Sequence, residues 1–292
     1  MNILNFDDHL LSEIICYLSM DDMYAIVETC KIFHIIVRKF LKIEIEQPSI
    51  YHIVGSVQLI EWAKSHPSFN YSSKYTKNAV KRNEIDILKY LIKDGCDINC
   101  HASFEAVKND NFEILKYIVK NHTYNDATFN LAASKNNIKM MKYLFKKNCS
   151  FDHNTCNDAA RSGSLEALKW LIENDCTVAY NIYDFAAIGG NIKLLNYLFS
   201  QFAHDLSKPH FSSRTMESAV ENGRLSVLKW LIKKKCPMEY RATYLAYKNN
   251  NIKCLDYLIN NKCPVENKLF LQLSKFGLNY NVQDVNIYYF QN

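Results

Sequence analysis

The hydrophobic positions of this chain form a phrase that recurs. An aromatic set in LKYL or a variant of it stands at Trp62, Tyr90, Tyr117, Tyr143, Trp170, Tyr197, Trp230 and Tyr257, with successive spacings of 28, 27, 26, 27, 27, 33 and 27 residues. Eleven residues before seven of these aromatics stands an alanine: Ala79, Ala106, Ala132, Ala159, Ala186, Ala219 and Ala246. Two points held at constant offset define an internal repeat, and a repeat decides the fold class before any local propensity does.

The copy from Ala132 to Cys149, AASKNNIKMMKYLFKKNC, shows the content of one unit. A short alanine-rich stretch and a polar break precede a longer run in which Ile138, Met141, Leu144 and Phe145 recur at helical spacing. A helix bearing alanines can approach its neighbour closely. Each unit therefore reads as a helix-turn-helix that cannot bury its own faces, and stacking the units makes one core. The pattern predicts an all-α chain with a helical-pair solenoid of about eight repeats over residues 51–265. A C-terminal cap and tail, 266–292, follow, in which LFLQLSKFGL predicts a capping helix and NYNVQDVNIYYFQN leaves docking or fraying open.

Residues 1–50 lie outside the period. From Phe6 to Leu18 the apolar positions Leu10, Ile14, Tyr17 and Leu18 follow Asp7 and Asp8, either of which can cap a helix start. After a break at Ser19, Met20 and Asp21, a second helix carries Met23, Ile26, Val27 and Cys30, and a third stretch runs through Phe33, Ile36, Val37 and Phe40. This predicts a three-helix unit.

Composition narrows the function classes. Gly 7 and Pro 5 in 292 residues suit helices joined by short turns and leave little for phosphate-cradling loops. No Ser, His and acid grouping stands out, so a non-enzyme is expected. No apolar run approaches the ~18 to 20 residues of a membrane helix, and the opening MNILNFDDHL has acids where a secretory signal has bases. A soluble protein of the cytoplasm, with the nucleus also open, is the expectation.

Ten cysteines are too dilute for a disulfide scaffold, and no CxxC pair occurs. Five of them, Cys96, Cys149, Cys176, Cys236 and Cys263, fall six residues past the repeat aromatic, where a free cysteine packs as a small hydrophobe. Equivalent positions of neighbouring repeats lie about 8–10 Å apart, beyond the roughly 7 Å that a disulfide spans between Cα atoms. The groups Cys149, His153, Cys156 and Cys96, Cys100, His101 lack the four converging ligands of a zinc site. No cofactor and no metal are expected.

The units resemble the ankyrin repeat in the shortened, divergent form found in large DNA viruses. AARSGSLEALKWLIENDC, Ala159 to Cys176, matches the family phrase best. The Thr-Pro-Leu-His opening is absent, leaving a loosely placed Thr128, Thr155 or Thr215. Ten residues separate Cys149 from Ala159 against 16 between Ala203 and Ala219, so most copies have lost about six residues from the inter-repeat finger. The helix-ending glycine survives as Gly95, with Asn148 a left-handed substitute and Asp175, Lys235 and Lys262 less comfortable there.

The first unit resembles the F-box through Phe6, Asp7, Asp8, Leu10, Leu11, Glu13, Ile14, Ile15, Tyr17 and Leu18, then Asp22, Met23, Thr29, Cys30, Lys31 and Phe33. Asp7 replaces the family's Pro and Thr29 its Val. A plain N-terminal cap of the solenoid is the alternative. The resemblance implies docking onto the adaptor of a cullin-RING ubiquitin ligase through Phe6, Leu10, Ile14, Leu18 and Met23, with the solenoid selecting a target protein.

In ankyrin-like solenoids the ends of the first helices read the partner, which points to Lys81, Arg82, Lys108, Lys135, Arg161 and Lys248. Such bases suit an acidic protein segment; nucleic acid ranks below it because no aromatics interleave the bases. The same stripe also fits a solvated face in a lysine-rich chain. A scaffold or decoy that sequesters a partner without ubiquitylation is the second function class. Residues 1–50 hold 4 bases and 8 acids while the remainder holds 31 and 22, so the total of +5 joins an acidic head to a basic solenoid.

Overall fold

The computed structural model describes residues 54–64, 70–121, 124–125, 127–202, 210–275 and 285–288. The predicted three-helix unit, with Phe6, Leu10, Ile14, Leu18 and Met23, lies outside the described residues. The chain divides into two compact units, Met1–Thr128 and Phe129–Asn292.

The first unit contains α1 (Val57–Lys64), α2 (Ser73–Arg82), α3 (Ile85–Lys93), α4 (His101–Lys108) and α5 (Phe112–Asn121). Helix α6 (Ala127–Ser134) runs across the boundary. The second unit continues with α7 (Ile138–Lys146), α8 (His153–Arg161), α9 (Leu165–Glu173), α10 (Ile182–Gly189), α11 (Ile192–Phe202), α12 (Ser213–Glu221), α13 (Leu225–Lys233), α14 (Tyr240–Lys248) and α15 (Ile252–Asn260). The predicted helix pairs are there, and within each unit like packs on like. In the second, α8, α10, α12 and α14 form one layer, while α7, α9, α11, α13 and α15 form the other.

The repeat alanines explain the close first-helix layer. Ala132, Ala159, Ala219 and Ala246 are fully buried and Ala186 nearly so. At Gly189 the backbone comes closest: a Cβ there would meet the carbonyl oxygens of Ala160 and Arg161 at 2.6 and 2.8 Å. The second helices bury leucine-rich stripes, for example Leu168 and Leu171, Leu194 and Leu198, and Leu228 and Leu231. Phe129, Phe145, Phe151 and Trp170 pack ring against ring with centroids 5.2–6.2 Å apart.

Among the described residues, seven first-helix turns and five second-helix turns use left-handed backbone. Asn83, Asp110, Asn136, Gly163, Gly190, Gly223 and Asn250, each four residues past the repeat alanine, close the first helix at φ between 55° and 81°. Gly95, Asn148, Asp175, Lys235 and Lys262 close the second at φ between 59° and 89°. Asp175, Lys235 and Lys262 thus adopt the conformation that the sequence made uncomfortable for them, because the carbonyls of the last helical turn need their N–H groups; Lys235 donates to the Ile232 carbonyl at 3.0 Å.

Side chains in the turn between the two helices tie repeat to repeat. Asn191 donates from Nδ2 to the Gly163 carbonyl at 2.7 Å while its Oδ1 accepts from Lys193 N–H. Ser164 donates to Ser134 O at 2.7 Å, Arg224 to Ile188 O at 3.0 Å and Asn251 to Val220 O at 2.7 Å. In the first unit Asn109 donates to Val80 O at 3.2 Å, and Asn111 caps its own helix through Ile114 N–H at 2.9 Å. The ties to Gly163, Ser134 and Ile188 give those carbonyls a side-chain donor, while Val80 O and Val220 O accept theirs beside the backbone bonds from Asn83 and Gly223.

The cap helix is present as α16 (Asn267–Lys275). The tail departs from the all-α expectation: β1 (Val265–Glu266) pairs in parallel with β2 (Ile287–Tyr288). Past Pro264 the chain is extended, and the Val265 N–H, fully buried, finds its acceptor in the Asn286 carbonyl at 2.8 Å. The tail aromatic Tyr288 docks, stacked on Tyr240 with centroids 4.9 Å apart.

Candidate protein interface

The ends of the first helices carry the bases singled out from the sequence. Lys81 and Arg82 lie in the last turn of α2, while Lys108, Arg161 and Lys248 end α4, α8 and α14, and Lys135 directly follows α6. All are exposed except Arg82, which is half-buried. Lys81, Arg82 and Lys108 belong to the first unit and the others to the second. A cation at this position also faces the negative end of its helix dipole, a local stabilisation of about 0.3–1 kcal/mol that needs no partner. The Arg161 guanidinium lies 4.7 Å from the ring centroid of Phe185 on the following repeat, which holds it by a cation–π contact.

Counting bases alone missed the acids beside them. Within the second unit, α8, α10, α12 and α14 carry Asp158, Asp184, Glu217 and Glu221 against Arg161, Arg214, Arg241 and Lys248. Depth separates three of the four acids from the bases. All four bases and Glu221 are exposed, whereas Asp158, Asp184 and Glu217 are half-buried. Asp184 accepts from the Thr215 hydroxyl at 2.6 Å, and Glu217 faces the Arg241 guanidinium at 3.3 Å with 13% of its side chain exposed against 62% for the arginine. Burial raises the carboxyl pKa of Asp158, Asp184 and Glu217 above the usual range, and nearby arginines offset that only in part. The surface sets exposed cations over three recessed carboxylates, with Glu221 exposed beside them. The available signal was register: Asp184 and Glu217 both stand two residues before the repeat alanine.

At the C-terminal end of this layer a cavity of about 520 Å³ opens between α14 and α16, lined by Tyr244, Tyr247, Lys248, Glu266, Lys268 and Leu269. Lys248 is thus part of a concave site with aromatic walls.

The loosely placed threonines have a structural role. Thr128, Thr155 and Thr215 are fully buried. Thr155 donates to Asn130 at 2.5 Å, Thr215 to Asp184, and Thr128 shares a hydrogen bond with Ser103 at 2.8 Å. Thr155 and Thr215 also complete capping boxes with Asp152 and Ser212. The five repeat cysteines are buried, as their packing role requires. Among the described residues no three His, Cys, Asp or Glu side chains converge to hold a metal, and no helix is long and apolar enough to cross a membrane.

The family model for ankyrin repeats, which spans three copies, matches residues 74–155 and 103–184. Residues 74–184 carry ankyrin repeats. The matched segments run from α2 to α10, and α11 to α15 continue the same alternation of alanine-bearing and leucine-rich helices beyond the match. No curated protein matches the chain. Ankyrin repeats mediate binding to protein partners, which makes the matched residues 74–184 a protein-interaction module.

Proposed function

We propose that the repeats hold an acidic segment of a target protein against the exposed bases of the first helices, while residues 1–50 recruit the adaptor of a cullin-RING ubiquitin ligase. The observation that carries the first half is the depth ordering in the second unit, where Arg161, Arg214, Arg241 and Lys248 are exposed above half-buried carboxylates. Recessed acids orient the bases, as Glu217 does Arg241 at 3.3 Å. The second half rests on the F-box correspondences at Phe6, Leu10, Ile14, Leu18 and Met23. The chemistry of ubiquitin transfer would belong to other subunits.

Affinity purification of the full chain followed by mass spectrometry tests both halves. Adaptor and cullin are expected together with one further protein. Changing Leu10 and Ile14 to Lys is expected to remove adaptor and cullin and leave the target. Changing Arg161 and Lys248 to Glu is expected to lower target affinity by tenfold or more, about 1.4 kcal/mol, and leave the adaptor. Absence of the adaptor from the wild-type sample refutes the ligase half. A target retained without the adaptor, at a level unaffected by proteasome inhibition, identifies a sequestering scaffold.

A further inference from the structure

Four cysteines six residues past the repeat aromatic share one hydrogen bond. Each thiol faces the carbonyl that heads the first helix of its own repeat: Cys96 to Ser72 at 3.4 Å, Cys176 to Asp152 at 3.2 Å, Cys236 to Ser212 at 3.2 Å and Cys263 to Glu239 at 3.5 Å. One of them has a second thiol within reach. Cys156, in the first turn of α8, donates to Cys176 with the sulfurs 2.8 Å apart. The register-equivalent residues of the other repeats are Thr76, Ser103, Phe129, Tyr183, Met216 and Thr243, so no other repeat can form this pair. The two cysteines belong to a single repeat of the second unit, and the spacing between neighbouring repeats that disfavours disulfides at equivalent positions does not apply to them.

We propose that Cys156 and Cys176 form a covalent modification site, at which a hydroperoxide converts the pair to a disulfide that joins the head of α8 to the chain following α9. Cys176 meets the oxidant, being 7% exposed, and Cys156 resolves the product from its fully buried position. In the first step the Cys176 thiolate attacks a peroxide oxygen, the O–O bond breaks, and the leaving oxygen departs as water after protonation, leaving a sulfenic acid. In the second the Cys156 sulfur attacks that sulfur, the S–O bond breaks, and the hydroxide leaves as water with the Cys156 proton. Two thiols and one hydrogen peroxide yield one disulfide and two waters, with two electrons passing from sulfur to oxygen.

The electrostatics favour this order. The S–H of Cys156 stabilises a thiolate on Cys176 and holds that thiol below its ordinary value, while the same contact and burial push Cys156 far up. Elsewhere burial pushes Cys96 up to about 11 and Cys236 and Cys263 up to about 12, leaving them inert.

The test uses the full chain. Reduced protein is exposed to hydrogen peroxide, unfolded in an alkylating reagent, digested and analysed by mass spectrometry. A Cys156–Cys176 crosslink that disappears on reduction is expected, with amide exchange across α8 and α9 slowed by about tenfold or more in the oxidised form. Cys156→Ser is expected to leave Cys176 as a sulfenic or sulfinic acid, and Cys254→Ser to change nothing. Full alkylation of Cys156 and Cys176 after peroxide has oxidised Cys100, or a crosslink from either cysteine to another partner, would overturn the assignment.

Discussion

The side chains that decide local stability in this protein hold turns and bridge repeats. Lys235 occupies a left-handed position at φ 59°, where a side chain is strained and glycine is not. Lys235→Gly is expected to raise stability by about 0.5–1 kcal/mol in denaturant titration, the relief of strain outweighing the added freedom of the unfolded chain. Asn157 makes the opposite case. Its Oδ1 is buried without a hydrogen-bond donor among the described residues. At the equivalent position Asn130 accepts from Thr155, and Asp184 from Thr215, but the following repeat offers Asn157 only Ile182. Asn130→Ala should therefore cost about 1 kcal/mol more than Asn157→Ala, a difference the same titration would detect. Bases were legible in the sequence at this scale; the hydrogen bonds of the threonines were not, since their partners stand 25 and 31 residues away.

At the scale of helices, the first-helix layer depends on side chains being small. Gly189 ends α10 against the carbonyls of Ala160 and Arg161, and a methyl group there would overlap both. Gly189→Ala is expected to destabilise by roughly 1–3 kcal/mol, because two backbones must move apart, and to do so despite alanine's better helix propensity. Thermal melts of the variant beside Ala187→Gly, which removes a buried methyl without adding bulk, separate overlap from simple loss of packing. The repeat phrase predicted these helices and their pairing because each copy writes the same alanine and leucine stripes. It did not predict β1 and β2, two-residue segments whose pairing rests on one extended stretch after Pro264 meeting a distant one.

For the molecule as a whole, half-buried carboxylates contribute to the pH response of the second unit. Asp158, Asp184 and Glu217 have folded pKa values raised by burial above their ordinary 3.8, 3.8 and 4.5. Just above those values the folded state binds more protons than the unfolded one, so stability falls as pH rises through that interval and stays lower beyond it. Asp94 in the first unit runs the other way. Hydrogen bonds from Lys64 and Tyr71 hold its carboxyl below the usual range, so its contribution is lost as pH falls. Asp184→Asn keeps an acceptor for Thr215 and removes the charge. Its melting temperature should exceed that of the wild type at neutral pH, with the gap closing on acidification through the carboxylate range. A gap that widens instead would mean that the Asp184 charge is stabilising.

The sequence by itself determined the repeat, its two helices, the burial of its alanines and cysteines, and the positions of the exposed bases, because these follow from a period that each copy states locally. Tertiary structure decided the rest. The recession of Asp184 and Glu217 behind arginines, the ties from Asn191 and Asn251, the approach at Gly189 and the contact between Cys156 and Cys176 all join residues 20 or more positions apart. Periodicity fixes which face of a helix is buried. Which atom meets which across that face depends on the stacking of one repeat on the next and on the folding of each repeat upon itself.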